Sequence, residues 1–410
     1  MTLPVRESRF LAGGVVALEF SAAVTSFVAS TLLPVVARDL DAGDRLGLLI
    51  AGSTLGLFVA LPLASRVLGR LGTRGTLAAG MLAYVGGLVL AATARGAWMF
   101  ALGQLSTGLA SGLLAVFGVS SAIRHLDERL RLRVVAASSA MWILPALVGP
   151  AATLGLEHLV GWGWTLLVPV PFVLFGRLLV VRAVRDDPPA DAAPRPLGRT
   201  LLVPLGAAGV VLSDGWWPLA VAGALVAAAG MVAILPAGTA RLDRGTPAAL
   251  AAMVLFAVGY FGADSLITVL LTTGFGVSLG QAAIVLSAAP LAWAVTSLFG
   301  RRLPATGLTL TALGTAVLAV GGPFPVLLAA WTVAGIGVGL AYPALYVRAS
   351  TAGSSGLTAT ELATAVITAE CVGQLLGRAI GGALSSAGGL FASYAVFAVA
   401  LAAAAAVSRR

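Results

Sequence analysis

Ser65-Arg66-Val67-Leu68-Gly69-Arg70-Leu71-Gly72-Thr73-Arg74 is a short basic stretch between two long apolar ones. Residues 46–64 before it and 76–94 after it carry no charged side chain. Each comes close to the ~20 apolar residues that a membrane-spanning helix requires. Outward from this stretch the same alternation fills the chain. The apolar windows are 10–36, 46–64, 76–94, 97–121, 134–156, 162–181, 200–213, 218–237, 247–273, 279–299, 303–321, 324–346, 360–384 and 387–407. Of 410 residues, 59% are hydrophobic and only 10% are charged, against roughly 25% charged in a soluble domain. A chain of this size could not cover a water-facing surface with so few charges. The fold class expected is an all-α polytopic membrane protein.

The arginines orient it. All 25 basic residues are arginine, and the formal net charge is +9. With the N-terminus in the cytoplasm and every window crossing, the inner segments hold Arg6 and Arg9; Arg66, Arg70 and Arg74; Arg124, Arg129, Arg131 and Arg133; Arg177 to Arg199; Arg241 and Arg244; Arg301 and Arg302; Arg348; and Arg409 and Arg410. The outer loops hold only Arg38, Arg45 and Arg95, and Arg378 lies within a window. This is a strong positive-inside pattern, and it places both termini in the cytoplasm. It also settles parity: windows 200–213 and 218–237 both cross or neither does. Fourteen spans are expected; twelve with a re-entrant hairpin is the alternative. The organisation is then a six-helix bundle (1–181), a cytoplasmic linker (182–199) rich in proline and charge, an extra helix pair (200–246) and a second six-helix bundle (247–410).

Several function classes drop out. A basic chain can bind nucleic acid, but arginines in short loops fix topology, and no nucleic-acid partner is expected. One cysteine, Cys371, excludes an intrachain disulfide. With His125 and His158 as the only histidines, no conventional zinc site can form. No nucleophile–base pair appears, so an enzyme is not expected, and neither is a cofactor. The apolar run after Arg9 reaches Val36, longer than the ~7–15 residues of a cleaved signal core.

Short motifs carry a family likeness. The stretch Ser65–Arg74 resembles the helix 2–3 loop signature of the major facilitator superfamily: Arg70, Gly72 and Arg74 match, while Ser65 replaces a glycine and Gly69 an aspartate. Pro145, Gly149 and Pro150 resemble the antiporter signature of helix 5, with Thr153-Leu154 where a glycine pair is usual. Gly161-Trp162-Gly163-Trp164 followed by Pro169 and Pro171 is similar to the entry of helix 6 in the fourteen-helix multidrug exporters, the drug:proton antiporters. Leu32-Leu33-Pro34 with Arg38-Asp39-Leu40 is similar to the end of helix 1 in those exporters. The resemblance implies two six-helix bundles that rock about a central cavity lined by helices 1, 4, 9 and 12. It also implies a role for Arg66, Gly69, Arg70, Gly72 and Arg74 in gating. Without an acid at Gly69, a weakened inner gate and a resting preference for the inward-open state are expected.

Glycines four apart, Gly52 and Gly56, Gly108 and Gly112, and Gly373, Gly377 and Gly381, form smooth helix faces. They read either as tight packing or as marking helices 2, 5 and 13 as the ones that slide between bundles, with Pro145 and Pro150 bending helix 5 where that movement occurs.

Charged residues within a bilayer need a reason, since each costs ~2.5–3.5 kcal/mol at its centre. Glu19 sits about nine residues into helix 1, ~13 Å deep, and Asp264 at comparable depth in helix 9. Neither has a basic residue on its own helix within two turns. Glu370, Gln374 and Arg378 follow one another on one face of helix 13. Glu370 and Arg378 read as a structural pair bridged by Gln374 or water, or each has another partner. Gln104 occupies the helix 4 position where many proton-coupled relatives carry arginine. Proton and substrate binding is expected at Glu19, Asp264, Glu370, Gln104 and Arg378. Phe20, Trp142, Tyr260, Phe261, Trp331 and Tyr342 are the aromatic candidates for apolar and cation–π contacts. The function expected is proton-coupled efflux of hydrophobic or cationic small molecules from a bacterial inner membrane. A metabolite transporter and a membrane sensor or scaffold are the alternatives. The partners are a small-molecule substrate, protons and membrane lipids, and the chain is expected to act as a monomer.

Overall fold

The structure, a computed structural model, describes residues 5–125, 141, 143–183, 197–213, 216–299, 303–350, 359–387 and 389–410. Among these, helices are joined by turns and no strand occurs. The chain divides into two compact units, Met1–Asp41 with Gly52–Leu197, and Ala42–Ala51 with Gly198–Arg410.

In the first unit, α1 (Val5–Asp39), α2 (Leu46–Ala92), α3 (Ala97–His125), α4 (Ile143–Val160), the short α5 (Trp162–Thr165) and α6 (Pro169–Ala183) follow in order. The windows 46–64 and 76–94 lie on one element, α2, broken only at Gly72, with φ 64° and ψ −179°. That region is open to glycine and to almost nothing else. So the basic stretch is helical except at one residue, and the Thr76 hydroxyl donates back to the Gly72 carbonyl at 2.8 Å. Window 162–181 lies on two pieces, α5 and α6, because Pro169 and Pro171 withhold donors that a continuous helix would use. The core of this unit joins α1, the second half of α2, α3 and α6: Leu11, Leu77, Leu114 and Val180 form one cluster, and Met81, Tyr84, Leu88, Ala110 and Val173 another.

The glycine sets explain the close helix contacts. A Cβ on Gly56 would lie 2.1 Å from the Leu105 carbonyl oxygen, and one on Gly108 1.9 Å from that of Ser53. Both α2 and α3 therefore use their glycines against each other, inside one unit. The same holds in the second unit, where a Cβ on Gly377 would lie 2.4 Å from the Val258 carbonyl oxygen. Each set packs closely on neighbours in its own unit.

The second unit contains α7 (Leu197–Val211), α8 (Trp217–Ile234), α9 (Thr246–Val269, ending in a π-turn at Leu270–Gly274), α10 (Leu279–Phe299), α11 (Pro304–Val320), α12 (Phe324–Ala349), α13 (Ala359–Ala387) and α14 (Leu390–Val407). Here α9 is central, buried at nearly every position, with α10, α12, α13 and α14 packed on it. Opposite to it in character is α8, apolar all round and exposing Trp217, Val221, Leu225 and Val232. Among the described residues, ten helical stretches are long and apolar enough to cross a membrane, and Leu201–Val211 and Pro304–Val320 are shorter apolar helices. Exposed apolar surface on this scale is stable only in lipid, and the chain is an integral membrane protein.

Candidate functional site

The polar and aromatic residues singled out in the sequence fall into two groups, one in each unit. In the second unit the helical register of α9 places Phe256, Tyr260 and Asp264 one turn apart. Tyr260 stacks nearly parallel on Phe256 (ring centres 5.7 Å apart) and on Trp331 of α12 (5.5 Å). Trp293 of α10 meets Tyr260 edge-on at 5.8 Å and Tyr342 of α12 at 5.2 Å. Phe261 adds an edge at 5.4 Å to Tyr260, and Tyr346 lies 6.1 Å from Tyr342. Edge-to-face and offset contacts of this kind lock the rings in one arrangement. Tyr260 is 2% and Trp331 0% exposed, so this stack is interior, not a membrane-interface belt.

Two carboxylates flank the stack, and they are compensated differently. Asp264 interacts electrostatically with Arg378, which reaches it from α13. The neighbouring backbone is fixed by Tyr394 of α14, whose hydroxyl donates to the Ala263 carbonyl at 2.6 Å. Glu370 is held by neutral groups. The Tyr342 hydroxyl donates to its Oε2 at 3.0 Å, and Gln374 Nε2 donates to its Oε1 at 3.4 Å. Glu370 and Arg378 thus each have another partner, one of the arrangements the spacing allowed. Asp264, without a cation on its own helix, finds one on a neighbouring helix.

Buried polar atoms that meet no hydrogen-bond partner in the described structure include, in this region, Asp264 Oδ1, Tyr260 Oη and Trp331 Nε1. Buried polar groups are nearly always bonded, so these are the atoms a bound molecule could satisfy. The set contains an acceptor, a donor and a hydroxyl that can serve as either.

In the first unit, Gln104 is 5% exposed, on the face of α3 that meets Gly52. Phe20 meets Phe172 edge-on at 5.2 Å. The hydroxyls of Thr25 and Tyr84 share a hydrogen bond of 2.7 Å. Pro145 and Pro150 are buried within α4, and a Cβ on Gly149 would lie 3.3 Å from Phe27 Cβ, so this face of α4 packs on α1. Arg66, Arg70 and Arg74 are exposed on either side of the Gly72 break. Gly69 lies on the helical part of α2, before the break. Trp142, Arg129, Arg131, Arg133, Arg301, Arg302 and most of the 182–199 linker lie outside the described residues, as do the side chains of Glu19, Arg124 and Glu361.

The sequence reading passed over Phe256, Trp293, Tyr346, Tyr84 and Thr25. A signal existed for two of them: Phe256–Tyr260 and Tyr342–Tyr346 are aromatic pairs at a spacing of four, which puts both rings on one helix face. Trp293 offered none, since a tryptophan in an apolar helix also suits a membrane interface.

A family model for the Major Facilitator Superfamily matches residues 15–304. The "Probable multidrug-efflux transporter" of Mycobacterium tuberculosis is 27% identical over 437 aligned residues, covering 95% of this chain and 91% of that one. The "Multidrug efflux pump SdrM" of Staphylococcus aureus is 22% identical over 162 residues, covering 40% of this chain and 36% of the pump. Among solved structures, a bacterial homolog of the human lysosomal transporter Spinster superposes with a TM-score of 0.67 at 15% identity, covering all of this chain and 98% of that one. The POT family transporter PepTSo also gives 0.67, at 14% identity and 98% and 96% coverage. A D-xylose–proton symporter gives 0.64 at 15% identity, with 98% and 96% coverage. At these identities the structural likeness concerns the fold.

Proposed function

Because the chain belongs to the major facilitator superfamily, we propose that it is a proton-coupled exporter of hydrophobic or cationic small molecules, working by alternating access with fourteen spans and both termini in the cytoplasm of a bacterial cell. The observation that carries this reading is the aromatic stack of α9, α10 and α12 beside Glu370, a buried carboxylate whose described partners are neutral. Stacked aromatic faces attract a cation through their quadrupole, and a carboxylate without a counter-ion supplies the charge to match it. A proton and an organic cation neutralise such a group equally well, and competition between them for one carboxylate couples their movements in opposite directions. Tyr260 Oη and Trp331 Nε1 would orient the polar end of the substrate. Within the first unit, Glu19 and Gln104 would supply further polar groups, and Arg66, Arg70 and Arg74 with the Gly72 break would serve the inner gate. The efflux proteins of Mycobacterium tuberculosis and Staphylococcus aureus support the direction of transport.

The test is reconstitution in proteoliposomes with a lipophilic cation such as tetraphenylphosphonium. Imposing a pH gradient should drive accumulation, and an imposed cation gradient should move protons the other way. Equal cation flux with and without a pH gradient would remove proton coupling. Transport of neutral metabolites but of no cation would favour the metabolite reading.

A further inference from the structure

We propose that the second unit carries a binding site for an anionic glycerophospholipid of the cytoplasmic leaflet, in the groove between α11 and α14. This groove has a cavity volume of about 390 Å³ and is lined by Thr309, Ala312, Leu313, Ala316 on one side and by a run from Ala398 to Arg409 on the other. Its walls are small side chains, so two closely packed helices leave a furrow where larger residues would close the surface. From Ala398 to Arg409 the helix rises about 16 Å at 1.5 Å per residue. One leaflet of hydrocarbon is about 15 Å, half of the roughly 30 Å core. The furrow therefore matches a single acyl chain lying along the protein from the interface to the bilayer centre. On the orientation proposed above, its Arg409 end faces the cytoplasm.

An arginine at the inner interface needs no lipid partner in general, because topology alone explains it. At Arg409 it is the backbone that is held, at the mouth of a groove. The Arg348 guanidinium donates to the Ser408 carbonyl, and the Ser408 hydroxyl donates to the Ala405 carbonyl at 2.8 Å. The backbone amides of Arg409 and Arg410 donate to the carbonyls of Ala406 and Val407 at 3.3 and 3.0 Å. The end of the chain is thus wound into a held turn, with Ser408 2% exposed while the Arg409 side chain stays exposed above the furrow. A guanidinium binds a phosphodiester with paired hydrogen bonds, and basic pockets between helices at this level suit anionic headgroups. Charge and shape together select a lipid: the cation takes the headgroup and the furrow takes one tail.

The experiment uses the full-length protein in mixed nanodiscs of phosphatidylglycerol and phosphatidylcholine, released for native mass spectrometry and counted for retained lipid. Phosphatidylglycerol should be retained in preference to phosphatidylcholine. Arg409→Gln should reduce that preference about fivefold, the scale of one arginine at an anionic surface. Ala402→Leu, which fills the groove from its exposed wall, should reduce retention of both lipids, and Arg410→Gln should change little. Equal retention of the two lipids by the wild type would overturn the proposal. So would an unchanged preference in Arg409→Gln, or an equal loss in Arg410→Gln, which would mean diffuse surface charge. A dimer whose interface covers the groove and excludes lipid would also overturn it. None of these outcomes depends on transport, so failure here is separate from failure of the exporter reading.

Discussion

Asp264 and Glu370 are both buried carboxylates within the membrane-spanning part of one unit, yet they have opposite surroundings. Asp264 lies where α9 and α13 meet closely, under the charge of Arg378 and beside a backbone fixed by Tyr394. Glu370 lies two turns away along α13 and is bonded by a phenol and an amide. In a medium of low dielectric this difference decides what each can do. A carboxylate beside a buried guanidinium is a poor site for a second cation, because two positive charges would then share one buried pocket. A carboxylate held by neutral donors gains from a proton or an organic cation. The comparison teaches that depth alone does not mark the exchanging residue; its partners do. On this account Asp264 and Arg378 hold α9 to α13, and Glu370 exchanges.

The largest effect expected is on the structural side. Arg378→Gln leaves Asp264 without its cation, and breaking a buried pair from one side costs roughly 3–5 kcal/mol. Thermal unfolding of the purified protein should show this as a large loss of stability or as failure to insert. Arg378→Gln combined with Asp264→Asn should recover much of it. A stable single variant would place Asp264 among the exchanging groups and erase the contrast.

Next in size is the contact that brings the two helices together. Gly377→Ala would set a Cβ 2.4 Å from the Val258 carbonyl oxygen, and overpacking of this kind costs about 1–3 kcal/mol. The same assay should show a clear drop, and α13 should separate from α9. Gly389→Ala, where a Cβ meets no atom within 4 Å, is no neutral control, since φ there is +85°. Gly280→Ala, open and without positive φ, is the better one.

The smallest effect should fall on the exchanging side. Tyr342→Phe removes one hydrogen bond to Glu370, a change of about 1 kcal/mol, or about fivefold in apparent substrate affinity. Stability should hold within that range, because Gln374 remains. An unchanged affinity, measured by equilibrium binding of tetraphenylphosphonium, would detach Tyr342 from the site.

Much of the fold was legible in the residue pattern and little of the site was. Runs of apolar residues bounded by arginine mark helices because lipid leaves the backbone no other way to satisfy itself. Departures within those runs trace to single residues: Gly72, which alone accepts the break in α2, and Pro169, which ends the continuity of window 162–181. The glycine faces predicted close approach, although the partner of each became known only with the packing. Asp264–Arg378 links α9 to α13 across three intervening helices, and Tyr342–Glu370 links the consecutive α12 and α13. Spacing along one helix shows which side chains share a face, but not which helix comes to meet it. That is why the alignment of Glu370 and Arg378 on α13 left open whether they pair through Gln374 or each meets a neighbouring helix.

The central claim is that Glu370 is the group on which proton and cation compete. It is tested most directly by proton release from detergent-solubilised protein in weakly buffered solution on addition of tetraphenylphosphonium. The wild type should release protons on binding, and Glu370→Gln should bind more weakly and release none while unfolding at an unchanged temperature. Release from Glu370→Gln equal to that of the wild type would contradict the account and move the exchange to another carboxylate.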